Sequence, residues 1–328
     1  MVKRASLPAA LLLSASFLLS LVLLQGCSAT SPARATPGAG DVTIDDSRVF
    51  PESITSLSDG TLFAGSIKGI IYRAGARETR ARPWILPSAE NGLLSVLGVL
   101  ADARTNTLWL CSVPSPLAGP VPAGATSSLM SFNLKTGARK ATFPFPPPAS
   151  ACNDITIGPD GTVYASDTPN GRIFKLGKGQ QALTLYMEDP KLKGIDGLVF
   201  GAKGTLYVNI VTRGELLRIE RGADGAPTGI TLLTLSQPVG GPDGFRLIAG
   251  NRFLLAEGNA GRIDEVTIDG DHAQIRVLAE GLTSPPGVTY ARGKGYAAEG
   301  KIRYLIDPKL KGTDPGVFTL HAISLERP

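Results

Sequence analysis

Asn153-Asp154-Ile155-Thr156-Ile157-Gly158-Pro159-Asp160-Gly161-Thr162-Val163-Tyr164-Ala165-Ser166-Asp167-Thr168 is a strand, a tight turn and a second strand. Apolar residues alternate on both sides of Pro159-Asp160-Gly161. There proline sets φ, aspartate bonds its own backbone and glycine accepts positive φ, so the chain reverses. The same phrase returns as Glu52-Ser53-Ile54-Thr55 with Asp59-Gly60-Thr61-Leu62-Phe63, and as Asp196-Gly197-Leu198-Val199 with Gly204-Thr205-Leu206-Tyr207-Val208. It returns again as Asp243-Gly244-Phe245-Arg246-Leu247 with Asn251-Arg252-Phe253-Leu254-Leu255. Weaker copies lie at Gly98-Val99-Leu100 with Asn106-Thr107-Leu108-Trp109, and at Pro286-Gly287-Val288 with Gly295-Tyr296-Ala297. The six heads, at positions 52, 98, 153, 196, 243 and 286, are spaced by 46, 55, 43, 47 and 43 residues.

After each second strand a third follows, such as Arg172-Ile173-Phe174-Lys175 or Glu215-Leu216-Leu217-Arg218, and then a fourth, such as Leu183-Thr184-Leu185-Tyr186 or Ile230-Thr231-Leu232-Leu233. Four strands per unit of this period predict an all-β, six-bladed β-propeller. The sixth unit has a third strand within Val317 to Leu325 and no residues left for a fourth. Val42-Thr43-Ile44 is therefore expected to close the ring as the outer strand of the last blade, removing an open seam of unpaired strand edges. Two insertions, Pro114 to Thr126 and Pro308 to Gly316, interrupt blades between second and third strands and are expected on one face as rims or lids. The hexapeptide Asp-Pro-Lys-Leu-Lys-Gly occurs at 189–194 and 307–312 without a physical account.

The 328 residues begin with positive Met1-Val2-Lys3-Arg4, an apolar run from about Ala9 to Leu24, and Leu24-Gln25-Gly26-Cys27. The run is short for a membrane-spanning helix and fits a secretion signal over 1–26. The tetrapeptide resembles a bacterial lipobox, which implies lipidation of Cys27. Residues 27–40, rich in Ser, Ala, Thr, Pro and Gly, read as a tether, and 41–328 as the propeller. Ser28 stands where an inner-membrane lipoprotein would carry aspartate, so the expected location is the outer membrane, facing the periplasm. Without Lys3 and Arg4 the chain has 31 basic and 28 acidic residues and no basic run, which excludes a nucleic-acid footprint. Cys111 and Cys152 can pair in an oxidising compartment, or pack as small hydrophobes.

In a propeller the heads of the inner strands ring the central channel. Here they are Glu52, Gly98, Asn153, Asp196, Asp243 and Pro286. Carboxylates crowded at a semi-enclosed mouth call for protons or a cation. A hard divalent cation, Ca²⁺ before Mg²⁺, suits carboxylate and amide oxygens. The competing reading makes each a turn cap beside Gly197 or Gly244. His272 and His321 lie in late outer segments, Gly65-Ser66-Ile67-Lys68-Gly69 lacks nucleophile-elbow spacing, and no dinucleotide-cofactor fingerprint occurs.

From about Phe50 to Gly300 the chain resembles the regucalcin/gluconolactonase (senescence marker protein) family of six-bladed propellers. The resemblance is strongest in Cys152-Asn153-Asp154 through Asp167-Thr168 and in Pro242-Asp243-Gly244 through Glu257-Gly258. It implies Glu52, Asp196 and Asp243 as ligands of a divalent cation and Asn153 as a substrate contact. Asp196 stands where the family has an amide, and Pro51-Glu52-Ser53 lacks the family's glycine, proline and tryptophan. The implied activity is hydrolysis of a lactone or related ester, a small-molecule substrate, with Asp243 as catalytic base. The alternative is a non-catalytic propeller that binds a ligand or scaffolds a partner.

Overall fold

The computed structural model describes residues 39–325. The signal segment, Cys27 and all but the end of the tether lie outside the described residues. Within them the strands form six antiparallel four-stranded units. Their inner strands are Pro51–Ser56, Ser95–Asp102, Cys152–Ile157, Ile195–Phe200, Pro242–Ala249 and Gly287–Ala291. Each inner strand packs against the next and the sixth against the first, so the units are blades around a channel. At the opening phrase the hairpin has the expected cause: Gly161 has φ +86°, and Asp160 Oδ1 accepts from the Thr162 amide at 3.0 Å.

The core is divided among the seams between blades. Between blades 3 and 4, for example, Tyr164 meets Tyr186 and Phe200 edge-on at centroid distances of 5.0 and 5.1 Å, over Ile195, Leu198 and Leu206. Between blades 2 and 3, Cys111 and Cys152 form a disulfide inside the buried cluster, so of the two readings open for them the paired one holds.

Val42–Ile44 closes the ring as expected, pairing antiparallel with Thr319–Ile323 of blade 6. It also does something the repeat did not announce. Its other edge pairs in parallel with Arg80–Ile85, the outer strand of blade 1, so one strand joins the first and last blades. Thr234–Leu235 adds a fifth strand to blade 5 in the same parallel manner.

Candidate functional site at the channel mouth

Five of the six inner strands carry a β-bulge at their head. Pairing with the second strand slips between Pro51 and Ser53, Val96 and Val99, Cys152 and Ile155, Ile195 and Leu198, and Pro242 and Phe245. A bulge leaves an unpaired residue and re-aims a side chain, here at the channel. The slip also fixes which residues are equivalent. Glu52, Asn153, Asp196, Asp243 and Pro286 hold the expected position, but in blade 2 it belongs to Leu97, and Gly98 falls one residue below. The bulge sets Val96 and Val99 level with Ile195 and Leu198, so the expectation for blade 2 was out by one.

The layer below the ring is built for close approach. A Cβ on Gly98 would collide with the Asn153 carbonyl and one on Gly197 with the Asp243 carbonyl, so glycine is required there by the neighbouring strand. Where a side chain is present it bonds the next blade. Asp154 Oδ2 accepts from the Leu198 amide at 3.2 Å, and Ser53 Oγ from the Val99 amide at 3.3 Å. Behind the bulges, Ser166 Oγ donates to the Asp196 carbonyl at 2.8 Å and Asn209 Nδ2 donates to the Asp243 carbonyl. These two polar residues stitch each bulge to the next ring residue.

Asn153, Asp196 and Asp243 stand on three successive blades, and the first two are linked directly. Asn153 Nδ2 donates to Asp196 Oδ2 at 2.8 Å and to Thr168 Oγ1 at 2.9 Å, and Asp243 is close enough to Asp196 for the two charges to repel. Burial pushes Asp196 up to about 7, with Asp154 adding to it. Burial also raises Asp243 well above the ordinary carboxyl range, reinforced by Asp196 and Glu52, and raises Glu52, reinforced by Asp196 and Asp154. Glu52 thus joins the group electrostatically from blade 1.

Beneath the ring an ion pair crosses the channel. Arg246, on the inner strand of blade 5, holds both carboxylate oxygens of Asp154 on blade 3 at 2.6 Å. Its Nε is buried without an acceptor among the described residues, and its charge offsets part of the repulsion among Glu52 and Asp196. Reading only strand heads misses this pair. Its signal in the sequence is a charge at apolar-strand positions inside both strong copies, Asp154 and Arg246.

In donor type and charge, three crowded carboxyls fit a hard divalent cation. Among the described residues, however, no three acidic, histidine or cysteine side chains already stand around one point as metal ligands would. The mouth also has a roof. Ile302, Arg303 and Ile306, at and within the short helix Arg303–Ile306 between the second and third strands of blade 6, line a cavity of about 250 Å³ together with Glu52 and Asp243. The insertion does stand on the mouth face, but the residues nearest the site precede Pro308. The other insertion lies on the same face, where Lys68 Nζ donates to the Leu117 carbonyl at 2.8 Å.

No protein-family model matches the chain, and no curated protein matches it in sequence. Solved structures do share its fold. Regucalcin from Agrobacterium tumefaciens, described as a calcium-binding protein, aligns over 86% of this chain and 96% of its own at 18% identity and a TM-score of 0.61. Virginiamycin B lyase from Staphylococcus aureus aligns over 86% and 82% at 15% identity and a TM-score of 0.57. An auxiliary nutrient binding protein from Bacteroides thetaiotaomicron aligns over 87% and 71% at 11% identity and a TM-score of 0.61. The chain is a β-propeller.

Proposed function

We propose that the chain is a cell-envelope hydrolase of the regucalcin/gluconolactonase kind, opening a lactone or related ester at the channel mouth with the help of a divalent cation. The observation that carries this reading is that Glu52, Asp196 and Asp243 head inner strands at the mouth, where burial and the charges of neighbouring carboxyls raise their hold on protons. Glu52, Asp196 and Asp243 would hold the cation, with Ca²⁺ the first candidate and calcium binding by the Agrobacterium regucalcin in support. A cation there would supply polarisation of the substrate carbonyl.

The chain's own groups would do the rest. Asp243 would accept the proton of the attacking water, a role suited by a raised pKa. Asn153, whose amide is held by Thr168 and Asp196, would orient the substrate through its side-chain oxygen. Asn209 and Ser166 would fix the two ring backbones. On this reading Asp243→Asn lowers kcat/KM by about 10²- to 10⁴-fold, the usual contribution of a positioned proton acceptor. A lactone panel run with and without EDTA, after metal analysis of the purified protein, provides the test. Hydrolysis that ignores EDTA, or an undiminished Asp243→Asn enzyme, overturns it.

The second reading, a non-catalytic ligand-binding propeller, is favoured by one observation. Arg246 already places a positive charge beneath the ring, so the carboxyls are partly balanced without an added ion. Absence of any bound divalent ion together with tight binding of an unreacted ligand would establish it. For location, Leu24-Gln25-Gly26-Cys27 supports a lipid-anchored outer-membrane protein facing the periplasm. Globomycin should block its processing, and a Cys27→Ala protein that still takes up labelled lipid would refute the anchor.

A further inference from the structure

The cavity at the mouth has two unlike sides. Its floor carries Glu52 and Asp243, and the rest is largely aliphatic: Ile67 and Pro286 on the walls, Ile302 and Ile306 above. The roof is held in place. Its neck, Gly300, passes so close to the carbonyls of Pro51 and Ser284 that a Cβ would stand 2.9 and 2.8 Å from them. Next to it, Lys301 Nζ donates to the carbonyls of Pro315 and Val317 at 2.9 and 2.7 Å and lies over the Phe318 ring, drawing the two ends of the insertion together. Ile302, Tyr304 and Leu305 all pack on the core cluster under the closing strand; Ile302 also reaches the cavity, and Ile306 is left to the mouth.

Ile306 is 60% exposed. A branched apolar side chain left wet beside a carboxyl ring gains free energy when an aliphatic group covers it. The remaining polar side chains of the cavity are Asn259, Ser284 and Arg303. A ligand bearing a hydroxyl on every carbon would find few partners against the isoleucines. At about 250 Å³ the space is below the roughly 300–1,000 Å³ of drug-sized pockets, enough for one ring and a short arm.

We infer that the mouth takes a lactone or ester carrying a short unbranched aliphatic arm, its carbonyl end toward Glu52 and Asp243 and its arm under Ile302 and Ile306. This rests on the proposal that the mouth is a hydrolytic site, but binding tests it separately from turnover. The probes are δ-lactams, which keep the ring and carbonyl of a δ-lactone and resist hydrolysis: δ-valerolactam, its 6-alkyl series and a polyhydroxylated gluconolactam, titrated calorimetrically into the purified protein.

Affinity is expected to rise about fourfold per added methylene and then level off once the arm fills the cavity, with gluconolactam weaker than the alkyl members. Ile306→Asn should flatten the series without lowering the melting temperature, Ile302→Asn should flatten it with some loss of stability because Ile302 also packs on the core, and Ile306→Val should retain it. Tighter binding of gluconolactam, no binding of any lactam, or a slope that survives in the Ile302→Asn/Ile306→Asn protein overturns the inference. An alkyl preference without turnover of the matching lactones upholds it while refuting hydrolysis, and turnover with the opposite preference does the reverse.

Discussion

Asp264 stands in the third strand of blade 5 at the place taken by Tyr72, Met130, Phe174 and Leu217 in blades 1 to 4, each paired with the equivalent second-strand residue. It is fully buried, and neither carboxyl oxygen makes a hydrogen bond among the described residues. Burial, together with the neighbouring Glu257, pushes its pKa to about 8. The fold therefore holds a proton that the unfolded chain releases near its ordinary value of about 3.9. The native state binds more protons across that interval, so this group's contribution to stability falls as pH rises from about 4 to about 8. Asp264→Leu should stabilise the protein by about 1–3 kcal/mol at neutral pH, the cost of an unsatisfied buried polar group. Urea midpoints at pH about 5, 7 and 9 provide the measurement, and the gap between variant and wild type should widen with pH. A constant gap would assign the effect to packing alone.

At the scale of elements, legibility followed the chemistry of each strand head. Glu52, Asn153, Asp196 and Asp243 were readable because a polar residue opens an otherwise apolar strand. In blade 2 the head lies within Ser95-Val96-Leu97-Gly98-Val99-Leu100, a run in which apolar residues carry no register mark, so the bulge could not be located and Gly98 was read where Leu97 stands. The Arg246–Asp154 pair was hidden for a different reason. It joins blades 3 and 5 across the axis, and a repeat reveals equivalent positions but not which ones face each other. The disulfide had two readings because burial and pairing demand the same small apolar surroundings. With its cysteines 41 positions apart, loop-closure entropy gives it about 4 kcal/mol. Urea unfolding with and without a thiol reductant should differ by about that amount, and equal midpoints would show that the seam between blades 2 and 3 is held by packing.

Over the whole molecule, the number of units, their four-strand plan and the closing strand were all written in the period of the chain. The second attachment of that strand was not, because parallel pairing to blade 1 depends on where the ring brings Arg80–Ile85 once it has closed. The two edges can be tested apart. The Ile44 amide donates to the Phe318 carbonyl at 2.9 Å on the blade 6 side, and the Thr43 amide to the Thr79 carbonyl at 3.0 Å on the blade 1 side. Proline at either position removes one donor and leaves a carbonyl unpaired. Ile44→Pro and Thr43→Pro should each cost about 1–3 kcal/mol, read as thermal unfolding, and Ile44→Pro should in addition speed proteolysis at the blade 6 seam. Unchanged melting and protease resistance in both would mean that the ring closes without this strand.

Because Val42–Ile44 is hydrogen-bonded along both edges, a pull applied from its N-terminal side along the strand axis meets two rows of bonds at once. They are loaded together in shear rather than peeled singly, so the strand acts as a mechanical clasp. Force spectroscopy from the N-terminal end should therefore give a higher rupture force than pulling through the exposed hairpin at Asp160-Gly161.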